Sequence, residues 1–488
     1  MAFNKINLPM KFKFKKSISS MLILSVLDDE EVPYVSWKNN HEIDKFLNGG
    51  SDLDIYIPID YKKKFINVAT QNSWILVVNP IAKFPYIEHL YSINGDGKIY
   101  HLHVYFKVIT GESWIKEFDF PMENYLIDNR CKHDEYGIYV LNNKSQAYLF
   151  ALRHIIKCGS ISSRALYLKD YESYRLEWKL CNYKVDELRG HGPILLDGAI
   201  CNSGLLNDFH LSRFINSFMF RNKISPFLRI RYFLLPVYRI VSFASRAINK
   251  LFFNRKKVLK PKGLVIAISG VDGSGKSSMV DLIDSSLTKF LTIRRLSLGK
   301  PQGKLIEFMR KLLSNSKSKT SLPSKEESFH KVSLFKSISL LVLAILRLFE
   351  SWKSQYYINS GYVVLVDRWP TREFGKMDGP KIYVNNTSST LVKLLSKLEG
   401  LIYQAIPAAD VCFFLEVSVD TAIKRNSIRI KDDKETESEI RERHMKNKMI
   451  EPITKKFIRF HNDGPFEEKK TELLLLVRNE LVNVNMCQ

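Results

Sequence analysis

Apolar residues in the first 125 positions come in short runs broken by turn-forming residues, as at 54–58, 74–78 and 100–108, and that pattern predicts β-strands. Gly95, Asp96, Gly97 and Lys98 fall between two such runs and predict a hairpin turn. Residues 1–125 therefore read as a mixed α/β domain. From 126 to 220 strand signals thin and the apolar period becomes helical, at 146–158 and 203–220, giving a helical extension. Within 221–262, at roughly 100° per residue, Leu234, Val237, Val241, Ala244, Ile248 and Phe252 share one helix face, with Arg239, Arg246 and Lys250 opposite. Pro236 is expected to kink or interrupt that helix. From 263 to 488 strands and helices alternate in the order of a parallel sheet with flanking helices, while the Ser-, Lys- and Thr-rich stretch 314–328 reads as a loop. The class is α/β, with segments 1–125, 126–220, 221–262 and 263–488.

A chain of 488 residues exceeds one hydrophobic core, in keeping with several segments. Its 74 lysines and arginines against 51 acidic residues leave a net charge of +23, which draws phosphates: those of nucleotides, nucleic acid or anionic lipid. Part of the excess is local. No acidic residue lies between Asp208 and Asp272, where Arg221, Lys223, Arg229, Arg231, Arg239, Arg246, Lys250 and Arg255 all fall. Such a basic amphipathic connector suits an anionic membrane surface through 221–257. A linker helix packed on a neighbouring domain needs the same apolar stripe, so both readings stand. The six cysteines are scattered without a C-x-x-C pair and read as reduced thiols of a cytoplasmic protein. The basic stretch at 11–16 and the apolar run at 21–27 resemble a signal peptide superficially. That run is short, however, and acidic Asp28 to Glu31 follow it in place of a cleavage site, so it reads as a first helix and strand. No stretch reaches the roughly 18 apolar residues of a bilayer span. The expected location is cytoplasmic, with peripheral contact at the inner membrane face left open.

The sharpest chemical signal is Gly270-Val271-Asp272-Gly273-Ser274-Gly275-Lys276-Ser277, which fits G-x-x-x-x-G-K-[ST] between an apolar run at 264–268 and a helical pattern at 279–287. Glycines there let successive backbone N–H groups, as far as Ser278 in the first helical turn, converge on phosphate oxygens. Lys276 then reaches the outer phosphates of ATP and the Ser277 hydroxyl binds Mg²⁺. The loop, with acidic Asp272, resembles that of thymidylate kinases. The run 361–369, ending Asp367-Arg368-Trp369, is similar to that family's strand ending in Asp-Arg and an aromatic. Residues 340–352 resemble its helix carrying an arginine near the acceptor pocket, here Arg347, and 411–425 its strand and first turn before the lid. The resemblance spans essentially all of 263–488 and implies a P-loop NTPase sheet and an ATP-dependent kinase. It further implies that Asp367 holds Mg²⁺ through water, that Arg368 clamps an anionic group of the acceptor, and that Asp272 orients or deprotonates the acceptor. Arg425 and Arg429, four apart and so on one helix face, would close over the phosphates.

Two departures shift the acceptor away from dTMP: the segment 369–381, whose Asp378-Gly379-Pro380-Lys381 looks like an extra acceptor-contacting turn, and the long charged lid at 431–448. A small-molecule or glycan-related acceptor is then expected, since fusions of this kind resemble proteins of bacterial surface-polysaccharide gene clusters. A dTMP-type nucleoside monophosphate kinase is the alternative. A nucleic-acid-binding or regulatory ATP switch rests on charge alone, with no groove-reading or RNA-stacking motif, so nucleic acid is not the expected partner.

A second signature lies upstream. Gly49-Gly50-Ser51-Asp52-Leu53-Asp54 resembles the nucleotidyltransferase turn that leads into Asp-x-Asp. On a strand, Asp52 and Asp54 share a face and can share a metal ion, while the turn would hold phosphates. A two-metal site needs a third carboxylate. The neighbouring strand at 100–105 offers His101 or His103 instead, and imidazole suits a transition metal better than Mg²⁺. An inactive or ligand-binding nucleotidyltransferase-like domain, an active one and coincidence all remain open.

Overall fold

The computed structural model describes residues 18–158, 160, 175–179, 183, 185–188, 190–196, 211–271, 273–299, 334–386, 388–428, 436–447 and 450–486. The basic stretch 11–16, the serine-rich stretch 314–328, Asp272 and Arg429 lie outside the described residues. The chain divides into two compact units, Met1–Arg255 and Lys256–Gln488. Among the described residues no helix is long and apolar enough to cross a membrane.

In the first unit, β1 (Val35–Lys38), β2 (Asp52–Tyr56), β3 (Ile75–Val78), β4 (Ile87–Ile93), β5 (Ile99–Tyr105), β8 (Arg130–Lys132) and β9 (Tyr139–Leu141) follow the sheet order β3-β4-β5-β2-β1-β9-β8, and β6 (Val108–Thr110) pairs separately with β7 (Phe118–Phe120). The turn expected at 95–98 joins antiparallel β4 and β5, with Gly97 at φ 80°. Strands continue past residue 125, because β8 and β9 extend the sheet beside β1. Period-two alternation in β5 sends Tyr100, Leu102 and Val104 into a core with Ile23 and Leu27 of α1 (Ile18–Asp29) and Phe65 of α3 (Lys62–Gln71), α2 being Ile43–Leu47. His101, His103 and Tyr105 occupy the other face.

That second face carries its own core, in which α5 (Asn143–Cys158) is buried from Ala147 to Ile156 beside Tyr105 and Phe118, following the short α4 (Glu123–Asp128). From α6 (Leu211–Lys223), Arg221 enters this layer and ion-pairs with Glu117 and, at 3.3 Å, with Glu112. Burial pushes the Glu117 carboxyl up, against the pull of Arg221.

Helix α7 (Leu235–Ile248) does not kink at Pro236. It starts there, with the proline in the first turn where its missing N–H has no partner to lose. The helix is held by its charged face: Arg239 ion-pairs with Glu112 at 2.6 Å, and Arg246 stacks over Trp114 at 5.1 Å. Most of the apolar stripe faces outward, with Val237, Val241, Ile248 and Phe252 between 49% and 76% exposed, while Ala244 is half-buried and Leu234 packs against the small cluster of Ile115, Ile230 and Leu235. Packing on the first unit is thus real but runs mainly through the charged face, with Leu234 the stripe's contribution at the helix start.

The second unit opens with the two-residue strand β10 (Val258–Leu259). Its sheet comprises β11 (Leu264–Gly270), β12 (Ile293–Ser297), β13 (Val363–Asp367), β14 (Ala409–Glu416) and β15 (Thr454–His461), all parallel in the order β12-β13-β11-β14-β15. Every residue of β11 is buried, as a central parallel strand requires. Helices α8 (Lys276–Leu287), α9 (Leu334–Asn359), α10 (Thr390–Ala405), α11 (Val419–Ile428), α12 (Glu437–Asn447) and α13 (Phe466–Met486) flank it. Parallel pairing gathers the carboxyl ends of all five strands along one edge, where ligands of open α/β sheets bind.

Replacing Arg221 with Leu leaves the buried Glu117 without its guanidinium, beside a Glu112 that keeps Arg239, and should destabilise the first unit by about 3 kcal/mol. Denaturant melts check this. The loss should shrink as pH falls, because a protonated Glu117 in the folded variant no longer needs a counter-ion.

Candidate active site

Strand β11 ends at Gly270 (φ 148°), and the loop runs to Gly275 (φ 85°), where α8 begins. A Cβ at Gly270 would stand 2.5 Å from the Leu415 carbonyl oxygen, and one at Gly275 would stand 2.8 Å from Asn462 Nδ2, so close backbone approach requires glycine at both. The N-cap of α8 is Gly275, which offers no capping side chain to the first N–H groups and their partial positive charge. Lys276 is buried, and its Nζ donates to the Val271 carbonyl at 2.7 Å. Ser274 Oγ is buried without a hydrogen-bond partner among the described residues, and Ser277 and Ser278 are exposed on the first turn.

Register places Asp367, the last residue of β13, opposite Ile268 of β11. Its Oδ1 is buried and lacks a hydrogen-bond partner among the described residues. An orphaned carboxylate oxygen and an exposed serine hydroxyl are the hard oxygen donors that Mg²⁺ takes, so this half of the site fits that ion. Arg368 follows at φ 66°, a backbone region that non-glycine residues avoid. Its guanidinium lies 3.8 Å from Asp378, and its side chain covers Gly299 closely enough that a Cβ there would stand 2.5 Å from Arg368 Cδ.

Arg347 is engaged by the protein through all three of its nitrogens. Its Nε donates to the Leu298 carbonyl (2.9 Å), Nη1 to Tyr403 Oη (2.6 Å), and Nη2 to Asp378 Oδ1 (2.8 Å) and the Gly299 carbonyl (3.3 Å). Asp378 thus bridges two arginines, and the turn expected to contact an acceptor is itself fastened to the unit's interior.

Across the loop, Arg425 of α11 donates from Nη2 to the Asn462 carbonyl at 2.8 Å. Its Nη1 is buried without a partner among the described residues, 3.6 Å from where a Cβ of Gly275 would lie. Asn462 Nδ2 donates to the Ser274 carbonyl at 2.7 Å. Asn462 therefore ties lid helix and loop together, a role no local pattern announces. The general signal is its place just past the carboxyl end of β15. The structure brings Lys276, Arg425 and the loop glycines together and sets Asp367 and Arg368 at the end of the neighbouring strand.

In the first unit, register aligns Lys38 of β1, Asp54 of β2, His103 of β5 and His89 of β4 in one row across four strands. Asp54 Oδ1 lies 2.9 Å from both Lys38 Nζ and His103 Nδ1, and Oδ2 accepts from Asn39 at 3.1 Å. Burial works to raise the Asp54 pKa, but Lys38 and His103 override it and hold the carboxyl well below the usual range. Burial likewise pushes His103 down to about 3, against the pull of Asp54. Asp52 lies 3.8 Å from His103, and one ligand atom each of Asp52, Asp54 and His103 falls within a 4.8 Å span. With an imidazole as third donor and Asp54 already paired to a lysine, this set fits Mg²⁺ poorly. The Ser51 hydroxyl of the preceding turn donates to Glu42 at 3.0 Å.

No protein-family model matches the chain. It is 28% identical over 176 residues to the uncharacterized ATP-binding protein YghR of Escherichia coli K12, an alignment covering 33% of this chain and 68% of that protein. It is 24% identical over 164 residues to the uncharacterized ATP-binding protein YghS of the same strain, covering 32% and 69%. Among solved structures, thymidylate kinase from Candida albicans is 16% identical, covering 45% of this chain and 94% of its own, at a TM-score of 0.28. Deoxyadenosine kinase from M. mycoides is also 16% identical, covering 44% and 100%, at 0.27.

Asp378→Ala removes the only carboxylate that Arg347 pairs with among the described residues and should cost about 3 kcal/mol in chemical denaturation. The double variant Arg347→Leu with Asp378→Ala should lose less than that, since no buried charge is then left alone.

Proposed function

We propose that the second unit transfers the γ-phosphoryl group of ATP to a small-molecule or glycan-related acceptor. The observation that carries this reading is convergence: a glycine loop on a helix with glycine at its N-cap, Lys276 inside it, and beside it an Arg425 nitrogen without a partner among the described residues. Cations around a transferring phosphate and a carboxylate for its metal are what phosphoryl transfer needs. The ATP-binding names of YghR and YghS support the donor half.

In this reading the N–H groups of 270–278 and Lys276 hold the β- and γ-phosphates. Ser277 and Asp367 would hold Mg²⁺, which would supply neutralising charge at those oxygens. An acceptor oxygen forms its bond to the γ-phosphorus as the bond to the β,γ-bridging oxygen breaks. ADP departs with that oxygen, and the acceptor proton passes to Asp272. Arg425 and Arg429 screen the spreading charge, and Arg368 holds an anionic part of the acceptor. Lys276→Ala should lower acceptor-stimulated ADP release by about a hundredfold or more while leaving the circular dichroism spectrum unchanged. Undiminished release would end the kinase reading. Running the same coupled assay over nucleoside monophosphates, dTMP first, decides between a nucleotide acceptor and the other classes.

The Gly49–Ser51 turn before Asp52 and Asp54 supports a nucleotidyltransferase-like reading of the first unit. The outward stripe of α7, with Arg231 and Lys250 exposed near its ends, supports peripheral contact of the 221–257 connector with an anionic membrane. Ile240→Asp with Leu251→Asp should abolish co-sedimentation with phosphatidylserine-containing vesicles, and wild-type binding should weaken with salt. Retention on nucleic acid instead of vesicles would favour the nucleic-acid reading.

A further inference from the structure

The first unit places a cation where an Asp-x-Asp site is expected to hold a metal. Lys38 Nζ lies 2.9 Å from Asp54 Oδ1 and donates to Tyr105 Oη at 2.8 Å. Lys116 Nζ, arriving from the loop between β6 and β7, donates to the same phenolic oxygen, also at 2.8 Å. The two ammonium groups are therefore no further apart than those two bonds laid end to end. Asp54 compensates one of them. Among the described residues Lys116 makes no ion pair, and its remaining neighbours are the rings of Phe84 and Tyr105, at 5.4 and 4.8 Å from its nitrogen.

Helix α5 adds to the imbalance, since Arg153 and Lys157 both act on Lys116 electrostatically. Arg153 is met by Glu177 at 3.8 Å. Burial, then Lys38, hold the Lys116 pKa well below its ordinary value, and burial, then Arg153, push Lys157 down to about 7. Four basic side chains thus gather around the buried carboxylates Asp54 and Glu177. Burial and mutual repulsion favour the neutral forms of Lys116 and Lys157 until an anion joins them and holds the protonated forms. A phosphate group has the charge and the acceptor oxygens to do so.

We propose that the first unit binds a phosphate-bearing small molecule at Lys38 and Lys116 without a divalent metal, the Lys38 ammonium occupying the position beside Asp54 that a metal ion would need. Tyr105 Oη, accepting from both lysines, fixes their spacing. The site stands apart from the phosphotransfer reading of the second unit and does not rest on it.

Isothermal titration of the full chain carrying Lys276→Ala, so that the glycine loop contributes little, tests this with inorganic tripolyphosphate and with ATP as probes, each in EDTA and in Mg²⁺. Saturable binding in EDTA, no weaker than in Mg²⁺, is expected. Adding Lys116→Met should weaken it at least tenfold, and Lys116→Arg should retain most of it. Asp54→Asn, nearly isosteric, should leave binding intact or tighten it, because the carboxylate no longer competes for Lys38, whereas a metal-based site would lose it. Tighter binding of ATP than of tripolyphosphate assigns the site to nucleotides, and equal binding assigns it to the phosphate group alone; both uphold the proposal. Absence of binding in EDTA, loss on Asp54→Asn, or indifference to Lys116→Met in a protein with an unchanged melting midpoint each overturns it. Should Lys116→Met not fold, the Asp54→Asn and EDTA arms still decide.

Discussion

Strand β11 runs in parallel register between β13 and β14, with Ile268 opposite both Asp367 and Phe413, and the candidate site of the second unit depends on that alignment. One residue of slip would reverse the face of every side chain and carry Asp367 away from the loop that Gly270 begins. The alignment is held by strands buried on both faces, so the polar groups at their carboxyl ends are fixed by a core they do not touch. Asn462 completes the frame from the far side, joining loop and lid helix through one side chain and one carbonyl.

How much of this was legible in the sequence differs with the range of the interaction. The glycine loop, the strand before it and the helix after it are encoded in consecutive residues, and they fold as the pattern reads. Asn462 lies 188 positions from the serine whose carbonyl it binds, and no local periodicity can express such a contact. Arg347 shows the converse. Its residue type and position suggest an acceptor clamp, yet all three of its nitrogens donate to the protein, a fact decided by where Asp378 and Tyr403 happen to fold. In α7 the pattern correctly separates an apolar from a charged face. It does not say which face meets the body, because Glu112 and Trp114, which decide it, belong to a loop more than a hundred positions upstream.

The two units meet negative charge by different physical means. Around Gly270–Gly275 backbone dipoles, which need no proton, add to the buried Lys276 and the Arg425 guanidinium. Around Asp54 the positive potential comes from ammonium groups set among aromatic rings, where each cation is desolvated and acts on the next. The dipoles are insensitive to pH, whereas burial, then Lys38, disfavours the protonated form of Lys116.

Arg368 occupies the junction between β13 and the following loop at φ 66°. A left-handed backbone there costs an L-residue roughly 1 kcal/mol that glycine would not incur. The position therefore records a trade in which backbone comfort yields to a guanidinium beside Asp378 and across Gly299. Because the bend that turns Arg368 also ends the ladder beside Ile268, the aim of this side chain and the termination of its strand are one conformational choice, and neither can drift in sequence without the other.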